Sequence, residues 1–554
     1  MCLNDTMSIK MKIILVITIH FLCSHLFATA VSNRGAKVPW ISYEAEKGEH
    51  TGKLLGASRE MHTIAAEASG RTAVKLTGQG QYISWKTQET ANALVVRYCI
   101  PDATKGDGIN ATISLYVDNI FRQKLKLSSK RSWLYGKSSG VLDLSNKPSD
   151  TARLLFTESN ALIGTIAKGA QVKLQIDQGD TGAYYVIDFI DLEYVAAPKY
   201  EPADSHSIVT YGAIPNDDMD DAPALMRALE AAGPQGTVYI PKGDFILRSK
   251  ITVGGQIIQG AGMWYSRFYC PDDVVNTGKV PGNFGFRMNA DNSAFYDIAL
   301  FSNGVKRETG GKTFSGSARK NTTIGRVWVE YAECAYWVDG GEALTIFDCR
   351  FRNTYADAVN LCAGTKNSLI ENCTARNTGD DAFAIWSATY RKDSGPCENN
   401  VIRNCTVQGT WRAAAFAIYG GRNNTIENCL AFDTLNYPAL TLSTEFQPIE
   451  FSGATLIRNC SFVRCGGKFW GNQEFSAVWL LAADAAFTGM KLENIDIVAP
   501  AYSGIKLQKR NFDMGTISLS DIKISDTTRP GIIIDERLKV TRHFKNITVN
   551  GNTR

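Results

Sequence analysis

The chain holds 554 residues, 44% of them hydrophobic and 21% charged, enough to bury a large core in two or three domains. A formal charge of +4, with no block of lysine or arginine, gives no electrostatic case for nucleic acid. Thirteen cysteines do not make a disulfide scaffold here, because that device belongs to small chains without a core.

Residues 1–30 read as a secretory signal. Lys10 and Lys12 precede an apolar run from Ile13 to Phe27, which closes on the small residues Ala28, Thr29 and Ala30. That run is too short and wrongly flanked for a membrane span, and no later segment looks transmembrane. The expectation is a secreted or periplasmic monomer, with no membrane insertion once the signal is removed.

Residues 38–195 read as an all-β module. Strand-like runs ALVVRYCI (93–100), ATISLYVD (111–118), QVKLQI (171–176) and YYVIDFIDLEYV (184–195) are separated by Gly, Asp, Asn and Ser turns, and no helical period survives. Two prolines mark 196–207 as a linker. The third segment, 208–554, opens with a helix capped by Asp220 or Asp221, with Pro223 in its first turn. Leu225, Met226 and Leu229 fall on one face, and Gly233-Pro234 stops it. The short strands VYIP and DFIL follow.

Beyond them one phrase recurs: IFDCRF…DAVNL, IENCTA…DDAFAI, IRNCTV…AAFAI, IENCLA…PALTL, IRNCSF…SAVWL, LENIDI…SGIKL and LSDIKI…RPGIII. Its markers are Asp348, Asn372, Asn404, Asn428, Asn459, Asn494 and Asp521. Each unit holds short strands and turns and no helix, which predicts a parallel β-helix whose coils cover one another. The asparagines should stack as a buried ladder rather than carry glycans. Cys349, Cys373, Cys405, Cys429 and Cys460 recur beside the markers, as a column of small buried thiols would.

Asp357 and Asp381 each lie nine residues after their markers, so they hold the same place on adjacent coils, about 4.8 Å apart. Asp380 joins them at the same turn. On later coils the matching column carries Ala414, Pro438, Ser476, Ser503 and Pro530. Clustered like charges disfavour joint ionisation. A calcium site or turn aspartates bonding backbone amides would also gather acids. Acid–base catalysis gives the best reason for such a cluster, because it needs one protonated and one ionised carboxyl together. Strand alternation turns Phe383 and Ile385 inward and leaves Asp380, Ala382, Ala384 and Trp386 outward, with Ala358 and Asn360 outward one coil earlier. The alanines should leave floor space and the tryptophan a stacking surface for a sugar. Asp357 and Asp381 must then sit in the bend before each strand. Trp411, Arg412 and Tyr419 are further groove candidates.

RNTGDDAFAIWS, with DAVNL one coil earlier and FAIYGGRNNTIENC one coil later, resembles glycoside hydrolase family 87, the α-1,3-glucanases and mycodextranases. The likeness covers most of 208–520. It implies a right-handed parallel β-helix and inverting hydrolysis of an α-glucan, with Asp357, Asp380 and Asp381 catalytic. Analogy with pectin-hydrolysing β-helices makes Asp380 the general acid, with Asp357 and Asp381 sharing the water as base. The segment from Tyr211 to Phe245 looks like the N-terminal cap of many such enzymes.

The first module resembles the jelly-roll β-sandwiches of carbohydrate-binding-module families 6 and 35, through YEAE near its start and VIDFIDLEYV at its end. That likeness implies a structural Ca2+ held by Glu44, Glu46 and Asp188, whose hard oxygens suit the ion. Trp133 is a candidate sugar platform. Two other readings stay open. One is a polysaccharide lyase, which needs a basic residue such as Arg376 or Arg412; the other is a non-catalytic glycan-binding protein.

Overall fold

The computed structural model describes residues 34–136, 144–145, 147–149, 151–275, 284–307, 311–391 and 394–553. The signal segment expected at 1–30 lies outside them. The first module is a sandwich of one six-stranded and one five-stranded antiparallel sheet. The expected strands occur at Ala91–Cys99, Asn110–Val117, Gln171–Gln175 and Tyr185–Glu193. Alternation fills the interior: Leu94, Val96 and Ile187 from one sheet meet Ile113, Leu115 and Val172 from the other. One α-helical turn, Ile64–Glu67, and the 3-10 turns Ala45–Lys47 and Ser69–Arg71 depart from the sequence reading.

Residues 196–207 run along the flank of the second module, where the Lys199 ammonium lies 2.7 Å from Asp297. The expected helix spans Ala222–Ala232, with Pro223 in its first turn and Gly233 at its end. Asp220 accepts the Ala222 N–H at 3.1 Å. Leu225 and Leu229 are buried, but Met226 is 48% exposed. Ala228 takes the place assigned to it, because residues three and four apart share a face.

The rest is a stack of parallel coils. One wall has eleven strands, from Lys250–Val253 to Ile532–Ile534, and the other walls share one continuous 22-stranded ladder. In-register pairing stacks Ile346, Ile370, Ile402, Ile426 and Ile457 in a column with no exposure. The five recurring cysteines are buried beside it, and every cysteine among the described residues is a free thiol.

The marker asparagines play a different part from the one expected. They are partly or fully exposed and hold φ of 51–54°, with Asp348 and Asp521 at 53° and 55°. Each corner bends through the left-handed region, which Asn and Asp enter more readily than other side chains. Only some link along the axis, such as Asn372 to Asp348 at 2.6 Å and Asn494 to Asn459 at 2.8 Å. Buried amide pairs form at other corners, Asn400 with Asn424 and Asn377 with Asn353.

The sandwich docks on the coils through buried ion pairs. Arg376 lies 2.9 Å from both Glu158 and Asp191, and Arg350 lies 2.7 Å from Glu193. Arg376 therefore belongs to the domain junction and not to the groove, which removes it as a catalytic base. Charges withdrawn from water need their partners. Arg376→Met should strand two buried carboxylates and lower stability by about 3–5 kcal/mol in denaturant unfolding. A loss under about 1 kcal/mol, the level of a surface pair, would contradict this role.

Candidate active site

Two neighbouring strands of the eleven-stranded wall build the site. Val359–Cys362 pairs with Phe383–Trp386 so that Val359 faces Phe383 and Asn360 faces Ala384. Val359, Leu361, Phe383 and Ile385 enter the solenoid core, and so do Ala358 and Ala382, which alternation placed on the outer face, because the chain bends just before each strand. Two consecutive inward residues mark the bend that frees Asp357 and Asp381 for the outer face. Both aspartates are 4–5% exposed. The Asp380 side chain is 23% exposed and is the most open of the three.

Each carboxyl has its own partners. Asn360 donates to Asp357 at 3.1 Å. Asp381 accepts the Tyr419 hydroxyl at 2.8 Å and the Ala414 N–H at 2.9 Å. Asp380 receives two guanidiniums on one oxygen, Arg412 at 2.8 Å and Arg307 beside it. Arg307 also donates to the carbonyls of Tyr355 and Gly379 at 3.3 Å. The Asp381 N–H reaches back to Asp380 at 3.3 Å.

These partners split the trio electrostatically. Burial pushes Asp357 well above the ordinary carboxylate range, and the charges of Asp380 and Asp381 add to the rise. Burial and the Asp380 charge raise Asp381 to about 7. Burial also works against the charged form of Asp380, but Arg307 and Arg412 overcome it and hold that group below its usual value. Their surroundings thus favour the charged form of Asp380 and the protonated forms of Asp357 and Asp381. As a general acid, Asp380 would have to bind its proton beside two guanidiniums.

The other candidates separate cleanly. Asn360, Arg412 and Tyr419 bond the trio. Trp386 lies at the groove, edge-on to Trp337 at 5.9 Å and tilted against Tyr390 at 5.6 Å. Trp411 is 1% exposed and packs with Leu134, Leu154 and Tyr355 beneath the site, so it offers no sugar surface. Ala384 is fully covered by a neighbouring apolar cluster and leaves no open floor. Arg307 was invisible to the repeat reading, because it comes from a connection that carries none of the recurring phrase.

In the sandwich, Glu44 and Glu46 each keep one buried oxygen without a partner, as cation ligands would. Asp188, however, is engaged by the Arg97 guanidinium and the Ser69 N–H. Among the described residues no three His, Cys, Asp or Glu side chains converge to hold a metal ion. Burial, with the charges of Asp188 and Glu46 nearby, nevertheless pushes Glu44 up to about 8, so the three carboxyls expected to hold Ca2+ lie near one another. Trp133 donates its indole N–H to the Ile100 carbonyl at 2.8 Å and packs at the edge of a sandwich cluster.

Residues 221–546 match the family model for the α-1,3-glucanase catalytic domain D2, and residues 37–195 match that for domain D1. The chain belongs to the GH87 α-1,3-glucanases. It is a glycoside hydrolase, and its sandwich corresponds to a domain of the glucanase catalytic unit. A solved GH87 α-1,3-glucanase catalytic domain in complex with nigerose is 31% identical, covering 94% of this chain and 95% of that one, with a TM-score of 0.84. An aspartate-to-alanine variant of a GH87 catalytic domain with tetrasaccharides is 30% identical over the same shares, with a TM-score of 0.85. The catalytic unit of a thermostable GH87 α-1,3-glucanase from Streptomyces thermodiastaticus shares the fold at 24% identity, covering 94% and 92%, with a TM-score of 0.79. A comparison with curated proteins gives no match.

In this glucanase the turn that carries Asp380 has no room for a side chain at Gly379. A Cβ there would lie 2.3 Å from Trp411 Cζ2 and 2.6 Å from the Tyr355 carbonyl oxygen. Trp411 thus sets the height of the turn from below. Gly379→Ala should lift Asp380 off its arginines and lower kcat/KM about 100-fold, the scale of a 1 Å misplacement. The melting transition should stay close to wild type, and a variant with normal turnover would show that the turn tolerates displacement.

Proposed function

We propose that this glucanase cleaves α-1,3-glucosidic bonds with inversion, using Asp357, Asp380 and Asp381 as its acid and base. One observation carries the reading: three carboxyls meet on two adjacent coils in unlike settings, Asp380 between two guanidiniums and Asp357 and Asp381 buried beside Asn360 and Tyr419. Inverting hydrolysis needs unlike carboxyls, an acid to protonate the leaving oxygen and a base to activate water on the opposite face. Relatives solved with nigerose or tetrasaccharides carry single aspartate-to-alanine changes at a lone position and at an adjacent pair. Those three positions are spaced along their chain as Asp357, Asp380 and Asp381 are spaced here, which supports the assignment. A lyase would require cations directed at a uronate, whereas both guanidiniums beside the trio bond Asp380.

Within the trio, this reading puts a resting proton on each of Asp357 and Asp381 and the resting charge on Asp380. Asp380 is then the carboxylate that takes the proton from water, and the pair supplies the proton to the leaving oxygen. Loss of an acid or base group costs about 10²–10⁴-fold in rate. An aryl glycoside with a good leaving group needs no proton, so Asp381→Asn should regain activity on it while Asp380→Asn should not. The opposite pattern would return the acid role to Asp380. The first sugar released should be the β-anomer when followed by NMR.

The pH profile follows from the same division. Asp381, at about 7, holds its proton below that pH and loses it above. Activity should therefore fall on an alkaline limb near 7. Removing a guanidinium with Arg412→Met should raise the Asp380 value and move the acid limb upward. An unchanged acid limb in that variant would detach Asp380 from the ionised role.

A further inference from the structure

Along the groove wall the outward positions stack in ladder order as Trp337, Asn360, Ala384, Ala417, Thr441 and Trp479. The trio sits at the coils of Asn360 and Ala384. From Ala384 to Trp479 the column is closed to solvent, Ala384, Ala417 and Thr441 being 0% exposed and Trp479 only 2%, and it reopens beyond them at Lys506 and Ile533. A glycan cannot lie on them. They are covered by an apolar cluster lying outside the solenoid core, which includes Tyr437, Phe469, Phe475 and Trp479.

Two of those residues come from a hairpin inserted between coils, Gly467–Phe469 paired antiparallel with Gln473–Phe475. Its tip residue Trp470 stands over the Arg412 guanidinium, 5.6 Å from the ring centre, and Arg412 in turn bonds Asp380. Gly467 packs so close to Asn436 that a Cβ would lie 2.3 Å from its Cα, which seats the hairpin against the coil below. Arg153 and Met61 of the sandwich brace it from the far side. In the opposite direction the ladder continues from Trp337 to Ser315 and Arg287, which stay partly or fully exposed. Tyr390, beside Trp386 on that side, is 51% exposed.

We propose that the hairpin at 467–475 closes the groove on the side of the later coils. The glucan then extends from the cleaved bond only across the earlier coils, past Trp337, and is cut at a fixed short distance from one chain end. The stem makes this wall firm, because Phe469 and Phe475 anchor it in the apolar cluster while Trp470 alone reaches toward the trio. This inference rests on the trio being the site of cleavage.

The test uses the full chain on α-1,3-linked gluco-oligosaccharides of increasing length, each labelled at its reducing end. Wild type should cut every length at the same number of sugars from the same end from the first turnover. Replacing residues 468–474 with two glycines should spread cleavage over several positions, and Trp470→Ala should shift the same distribution more weakly with the melting transition retained. Scattered internal cuts by wild type, or a single cut position preserved in both variants, would overturn the proposal. Failure to cut any oligosaccharide would sink the hydrolytic reading of the site itself.

Discussion

Neighbouring strands of a parallel ladder lie about 4.8 Å apart, and no side-chain adjustment relaxes that spacing. Placing an aspartate at one point of two successive coils, and a further aspartate beside the second, forces three carboxyls together. The fold cannot ionise them all. Arg307 and Arg412 favour charge on one member, and burial favours the protonated form of the other two. The clustering of the trio is thus a consequence of ladder spacing.

The remaining structure serves to keep that cluster in register. The aliphatic column from Ile346 to Ile457 sets the phase of each coil. The two inward alanines, Ala358 and Ala382, turn the aspartates outward. Below the Asp380 turn, Trp411 meets Leu134 and Leu154 of the sandwich, so the first domain supports that turn from beneath. The buried pairs of Arg350 and Arg376 with sandwich acids fix how the two domains meet. This explains why both domains form one catalytic unit in the family.

Much of this was legible in the sequence, because a repeat converts chain position into spatial position. Counting nine residues from Asp348 and from Asn372 was enough to bring Asp357 and Asp381 together. The helix at Ala222–Ala232 and the free thiol column followed from equally local patterns. What the repeat could not supply came from outside it. Arg307 lies in a connection, and its pairing with Asp380 depends on a loop path that no periodicity encodes. The hairpin that covers Ala384 is an insertion, so alternation placed the alanine on the outer face without showing that something lies over it. Trp411 was misread for the same reason, since its partners belong to another domain. The marker asparagines were misread differently: they recur for their backbone freedom at positive φ, and a side-chain ladder is not what selects them.

A neutron crystal structure of the free glucanase at mildly acidic pH would locate these protons directly. Deuterium on Asp357 and Asp381, with none on Asp380 between its two guanidiniums, is the predicted result. Deuterium on Asp380 with both other carboxyls bare would contradict the account.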